Sequence, residues 1–134
     1  MCGIAGVSVS SSHTVAPAAL RASLAALGHR GPDDSGVFED NKHGIGLVHA
    51  RLSILDLSAL GHQPMLSADG ASVLVFNGEI YNFHELRAEL EAQGASFRSN
   101  TDTEVLLNLY LAEGEAMLSR LNGIFAFALW DSRK

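Results

Sequence analysis

One thiol in 134 residues stands directly behind the initiator methionine, in Met1-Cys2-Gly3-Ile4-Ala5-Gly6-Val7. Chain ends tend to fray, so this is an odd place for a structural cysteine. Once Met1 is removed, which a small second side chain ordinarily permits, Cys2 carries a thiol nucleophile beside a free α-amine. The amine has an ordinary pKa of about 8 and can act as a general base. A thiol of ordinary pKa, about 8.5, needs such help to become a thiolate. The pair forms a self-contained nucleophile and base, as at N-terminal threonines. The alternative is a small apolar side chain with no role, and Cys2 alone leaves both open.

Three further stretches carry residue types suited to chemistry on an amino acid. In "FNGEIYN", Asn77 and Gly78 come at the end of an apolar strand. Asn-Gly is a common tight turn, yet the residues that follow lead towards a helix and not into a return strand. An Asn amide and a Gly N–H exposed together suit an oxyanion hole, where one lost donor costs about 3–4 kcal/mol. In "HARLSILDLS", Arg51 is either an edge-strand arginine facing water or a guanidinium fork for a carboxylate. In "SNTDTE", Asp102 either complements a helix dipole or offers its charge to a substrate ammonium.

The elements that must position these residues follow from pattern. A strand is expected over 2–9, then a helix opened by Pro17, with Leu20, Leu24 and Leu27 on one face and Gly28 as its C-cap. "HRGPDDSG" reads as a loop rich in turn formers. "SGVFED" and "GIGLVHARLSIL" read as strands joined by a turn at "NKHG". "SALGHQPMLSADGA" reads as irregular loop, and "SVLVFNGEIYN" as a buried strand. Two amphipathic helices follow, "NFHELRAELEAQGA" with Leu86 and Leu90 inward, and "SNTDTEVLLNLYLAEG" with Leu106, Leu107 and Leu109 in the core. A short helix "EAMLSRLN" precedes a last strand, "GIFAFALWD". The apolar run Ile124 to Trp130 followed by "DSRK" reads as half of a hairpin, so its return strand is expected beyond Lys134. The pattern is that of an α+β fold or layered sandwich.

Composition narrows the function classes. With 47% hydrophobic and 18% charged residues the chain is globular and not disordered. A net charge of −6 with no basic run argues against nucleic acid or an anionic membrane as partner. A single cysteine cannot close an internal disulfide, which makes a reducing cytoplasm the default. No apolar run approaches the ~20 residues of a membrane span, and no signal-peptide pattern opens the chain. The six histidines lack metal-ligand spacing, so no metal is expected.

In this order and at about this spacing, "MCGIAGV", "HRGPDDSG", "RLSILDLS", "GHQPM", "NGEIYN" and "TDTE" resemble the class II glutamine amidotransferases. "RGPD", "RLSI-D" and "NGEIYN" look most like the branch of glutamine-hydrolysing asparagine synthetases. The resemblance implies an N-terminal-nucleophile fold, a four-layer α/β/β/α sandwich with antiparallel sheets. Residues 1–134 would then be an incomplete amidotransferase domain, C-terminally truncated. Cys2 would attack the side-chain amide of L-glutamine, with Asn77 and Gly78 as oxyanion donors. Arg51 would grip the α-carboxylate, Leu52, Ser53, Ile54 and Leu55 would line the pocket, and Glu79 and Asp102 would surround the α-amino group. The ammonia would pass to a C-terminal synthetase domain that uses ATP and magnesium. This chain has no Gly/Ser-rich nucleotide loop, so no cofactor is expected in it. A homo-oligomer is compatible with the sequence. The competing readings are another class II amidotransferase and a non-catalytic remnant, and a retained Met1 would favour the latter.

Overall fold

The computed structural model describes residues 2–10, 13–54 and 56–134, so Met1 and Leu55, both invoked above, lie outside the described residues. Small residues open the chain because the first strand, β1 (Gly3–Ser8), runs close under the helix α1 (Pro17–Leu27). A Cβ added at Gly3 would press on the Leu27 side chain at 3.0 Å. Strands β2 (Asp34–Asp40) and β3 (Ile45–Arg51) form the hairpin expected at "NKHG". Gly44 takes the positive φ of +69° that its turn requires. Strand β3 is central to an antiparallel sheet of order β1-β3-β2, with Gly3 opposite Ala50 and Asp34 opposite Arg51.

A second antiparallel sheet has the order β4-β5-β6, from β4 (Met65–Leu66), β5 (Ser72–Ile80) and β6 (Gly123–Asp131). Period-2 alternation sorts the side chains of both sheets. Leu47, Ile45, Ile4 and Phe38 meet Val73, Val75, Ala128 and Trp130 between the sheets. On the outer face of the first sheet, Val48 packs with Leu20, Leu24 and Leu27 of α1. On the outer face of the second, Leu74, Phe76 and Ile80 pack against α2 (Phe83–Ala92) and α3 (Asp102–Glu113). Leu86, Leu90, Leu106, Leu107 and Leu109 are all buried there, each contributing about 1.5–3 kcal/mol of apolar burial. The layers run α/β/β/α, the α+β sandwich with antiparallel sheets.

Three local expectations are corrected. The third strand stops at Arg51 and does not reach Leu55, because the chain beyond it turns away and the Ser53 N–H bonds the Asp33 carboxylate at 2.8 Å. β5 does not end at Asn77-Gly78: β6 pairs with it through Asn77↔Ala126 and Gly78↔Phe125 to Ile80↔Gly123. Gly28 is the C-cap of α1, as expected, and caps it in right-handed geometry. The "SALGHQPMLSADGA" stretch holds a 3-10 turn at Ala59–Gly61 and strand β4, and Gly114–Arg120 is a 3-10 helix.

Candidate active site

In an antiparallel ladder the N–H and C=O of alternate residues turn to opposite edges. At the end of β5 the Tyr81 N–H donates to Asn122 on the β6 side at 2.7 Å. Even-numbered residues therefore turn to the other edge, where β4 accompanies only Val73 and Leu74. Beyond β4, side chains stand in for a strand. Gln63 Oε1 accepts the Phe76 N–H at 2.7 Å, and Asp102 Oδ2 accepts the Ile80 N–H at 3.1 Å. Gly78 lies between these two anchors, so the alternation puts its N–H on the same edge, at the wall of a cavity of about 250 Å³. Its φ of +150°, and the overlap an added Cβ would make with the Ile124 carbonyl, restrict the position to glycine. Neighbouring Asn77 lines the same cavity, and its Oδ1 is buried with no partner among the described residues.

Cys2 enters this cavity from the other sheet. Its sulfur sits against the Leu52 main chain, 3.4 Å from the N–H that donates to it and 3.6 Å from the carbonyl. Arg30 Nε donates to the Cys2 carbonyl at 3.1 Å. Gly31 lets "HRGPDDSG" lie directly on Ala50 and Arg51, where any Cβ would overlap the backbone. The loop thus holds the first residue of the described chain in place.

Arg51 ends β3 on the inter-sheet face, and its side chain is buried. Nη1 donates to the Ser58 carbonyl at 2.9 Å and Nη2 to the Asp56 carbonyl. Gly61 leaves room for the guanidinium, since a Cβ there would overlap Arg51 Nη2 and come within 3.3 Å of Thr101 Cγ2. Arg51 is thereby close to the start of α3. Thr101 caps that helix by accepting the Glu104 N–H at 3.1 Å. Buried Glu104 reaches back to the Ser99 N–H at 2.6 Å and the Arg98 N–H at 2.9 Å, much as in a capping box. Asp102 is fixed in the first turn with its carboxylate in the cavity. Burial pushes its pKa above the usual carboxylate range; the Ile80 and Thr103 N–H groups oppose the shift, and the charge of Glu79 adds to it.

Cys2, Arg51, Leu52, Ile54, Asn77, Gly78, Glu79 and Asp102 share one cavity. Ser53 does not line it, facing instead a neighbouring depression with Asp33, Asp34 and His62, and Leu55 lies outside the described residues. Gln63, Gly61, Thr101 and Thr103 also line the cavity and were missed, although "GHQPM" and "TDTE" drew attention to their neighbourhoods. Fully buried His49 was missed as well. It donates Nε2–H to the Phe76 carbonyl at 3.1 Å, and burial holds its pKa down to about 4. Among the described residues no three His, Cys, Asp or Glu side chains gather as a metal cage, and no helix is long and apolar enough to cross a membrane.

A sequence model of the glutamine amidotransferase domain matches residues 1–134. The chain belongs to that family. It is 43% identical over 98% of its length to asparagine synthetase [glutamine-hydrolyzing] 1 of Bacillus subtilis. It is 48% identical over 79% of its length to asparagine synthetase B of Escherichia coli. It spans 21% and 18% of these two proteins, about a fifth of their length. Among solved structures, the glutamine phosphoribosylpyrophosphate amidotransferase of B. subtilis superposes with a TM-score of 0.56 over 69% of this chain and 22% of that one, at 27% identity. The glutamine amidotransferase domain described here therefore matches relatives in both sequence and layered architecture.

Proposed function

We propose that this domain hydrolyses the side-chain amide of L-glutamine to glutamate and ammonia through a thioester on Cys2. The observation that carries the reading is the meeting of the thiol, the Gly78 edge of β5 and the Arg51–Asp102 pair in one cavity. Arg51 takes the α-carboxylate of glutamine, and Asp102 with Glu79 takes the α-ammonium, so both charged groups of the amino acid are recognised. Its amide then lies at Cys2. The sulfur attacks the amide carbon while the terminal α-amine, present once Met1 is gone, accepts the thiol proton. The oxygen of the tetrahedral intermediate takes hydrogen bonds from the Asn77 amide and the Gly78 N–H. Collapse breaks the C–N bond, and the α-amine passes its proton to the departing nitrogen, which leaves as ammonia. Water attacks the thioester, and breaking the S–C bond releases glutamate and restores the thiol.

The curated relatives at 43% and 48% identity are glutamine-hydrolysing asparagine synthetases. On that ground the ammonia is assigned to asparagine synthesis by a synthetase domain in the same protein; the family resemblance adds ATP and magnesium to that second step, and the single cysteine favours a cytoplasmic setting.

Intact mass before and after a glutamine-analogue electrophile tests the reading. Loss of Met1 and a single adduct, blocked by glutamine and absent in Cys2→Ala, are the expected results, together with release of ammonia and glutamate from glutamine. A retained Met1, or an adduct that glutamine does not protect against, overturns it.

A further inference from the structure

Asp56 is left unused by the chemistry above, yet it touches both halves of the amino-acid site. Its backbone is left-handed, with φ of +51°, an unfavourable conformation for any residue but glycine and, less so, asparagine or aspartate. In that conformation its carbonyl accepts Arg51 Nη2, and its Oδ1 accepts the Ser58 N–H at 3.0 Å. Ser58 in turn offers its carbonyl to Arg51 Nη1 at 2.9 Å. Both acceptors that orient the guanidinium therefore belong to one turn, closed by the Asp56 side chain.

The other carboxylate oxygen crosses to a different part of the chain, accepting the Asn100 N–H at 2.9 Å. Asn100 stands between Ser99, held by Glu104, and Thr101, the cap of α3. It is thus a rigid point two residues before Asp102. These bonds, that from Asn100 foremost, also hold the Asp56 carboxyl below its ordinary pKa, which keeps it an acceptor.

We propose that Asp56 is a positioning residue that ties the turn orienting Arg51 to the start of α3. It thereby sets the separation between the groups that receive the α-carboxylate and the α-ammonium of the substrate. This rests on the glutaminase reading above. The consequence is selectivity for a free α-amino acid over an amide that carries the carboxylate alone.

Asp56→Gly and Asp56→Asn, made in the protein that carries this domain, separate the carboxylate from the backbone. Glycine keeps the left-handed turn and removes both side-chain bonds. Asparagine keeps the turn and one acceptor. The measurements are kcat and KM for glutamine, the same for glutaramate (glutamine without its α-amino group), and thermal unfolding. For Asp56→Gly, KM for glutamine should rise about tenfold, a fraction of what the two carboxylate bonds are worth because they reach the substrate only through Arg51 and α3, with kcat little changed and the preference over glutaramate reduced. Asp56→Asn should fall between it and wild type. Wild-type KM and preference in Asp56→Gly overturn the proposal, as does a loss of kcat that tracks unfolding with KM unchanged. An inactive wild type overturns the reading of the site itself, and this proposal with it.

Discussion

His49 in β3 donates its Nε2–H to the carbonyl of Phe76 in β5, across the layer between the two sheets. Gln63 Oε1 takes the N–H of the same residue. Both polar groups of the Phe76 backbone are therefore held by buried side chains, one residue before Asn77. The bond from His49 needs a proton on Nε2 and by itself favours the charged ring; burial outweighs it, lowers the pKa to about 4 and keeps the ring neutral.

That neutrality makes stability depend on pH. In the unfolded chain the ring binds a proton near its ordinary pKa of about 6.5, whereas the folded ring stays neutral down to about 4. The stability contributed by a neutral His49 is thus complete above about 6.5 and lost progressively as pH falls to about 4; by pH 5 the loss reaches about 2 kcal/mol at 1.36 kcal/mol per pH unit. Urea unfolding of wild type and His49→Gln at pH 7.5 and 5 checks this. The variant should be less stable at pH 7.5 but lose less on acidification. Equal losses in the two proteins would count against it.

Gly61 is predicted to matter for binding and not for folding. An added Cβ overlaps Arg51 Nη2, the far end of a flexible side chain that can move aside at little cost to the fold. Moving it abandons the Asp56 and Ser58 carbonyls and misdirects the guanidinium. Gly61→Ala should keep its melting temperature within a few degrees and raise KM for glutamine by about 10- to 100-fold, the worth of a charged hydrogen bond. A lowered kcat with unchanged KM would place Arg51 elsewhere in the mechanism.

The layers were legible because the short apolar runs of β3 and β5 and the leucine faces of α1 and α2 are local signals. Cys2, Arg51, Asn77 and Asp102 stood out through residue type at suggestive places. Gln63, His49 and Gly61 did not, because each acts on a partner distant in sequence: Phe76 for the first two, Arg51 for the third. Those contacts depend on how β3 and β5 face one another, which no periodicity encodes. The apparent end of β5 at Asn77-Gly78 had a related cause. Asn-Gly has local turn propensity, and only β6, some fifty residues downstream, keeps the strand extended through it. Ser53 shared an apolar stretch with Leu52 and Ile54, but the Asp33 carboxylate turns its backbone away.

Asp102→Asn should separate stability from function. Asparagine can still accept the Ile80 N–H, while the buried charge disappears. Because the folded pKa of Asp102 is raised by burial, its stabilising contribution is present only below the ordinary carboxylate pKa and is lost as pH rises through the folded value. At pH 7 the variant should therefore melt higher than wild type, with the gain shrinking on acidification. Its KM for glutamine should rise by about 10- to 100-fold through loss of a charged partner for the ammonium. A variant that melts lower at pH 7 would show the carboxylate to be structural.

Asn77 and Gly78 should differ in the way they fail. Gly78→Ala forces a Cβ onto the Ile124 backbone at a φ of +150°, so β5 and β6 must part and the melting temperature falls together with activity. Asn77→Ala removes a side chain at the cavity wall whose oxygen has no described partner, so the fold loses little. If the Asn77 amide meets the oxyanion only after attack has begun, its loss lowers kcat by about 100- to 1,000-fold and leaves KM near wild type. Steady-state kinetics with glutamine, read beside thermal melts of both variants, distinguishes the cases. A raised KM with retained kcat in Asn77→Ala would move this side chain from stabilising the transition state to holding the ground-state substrate.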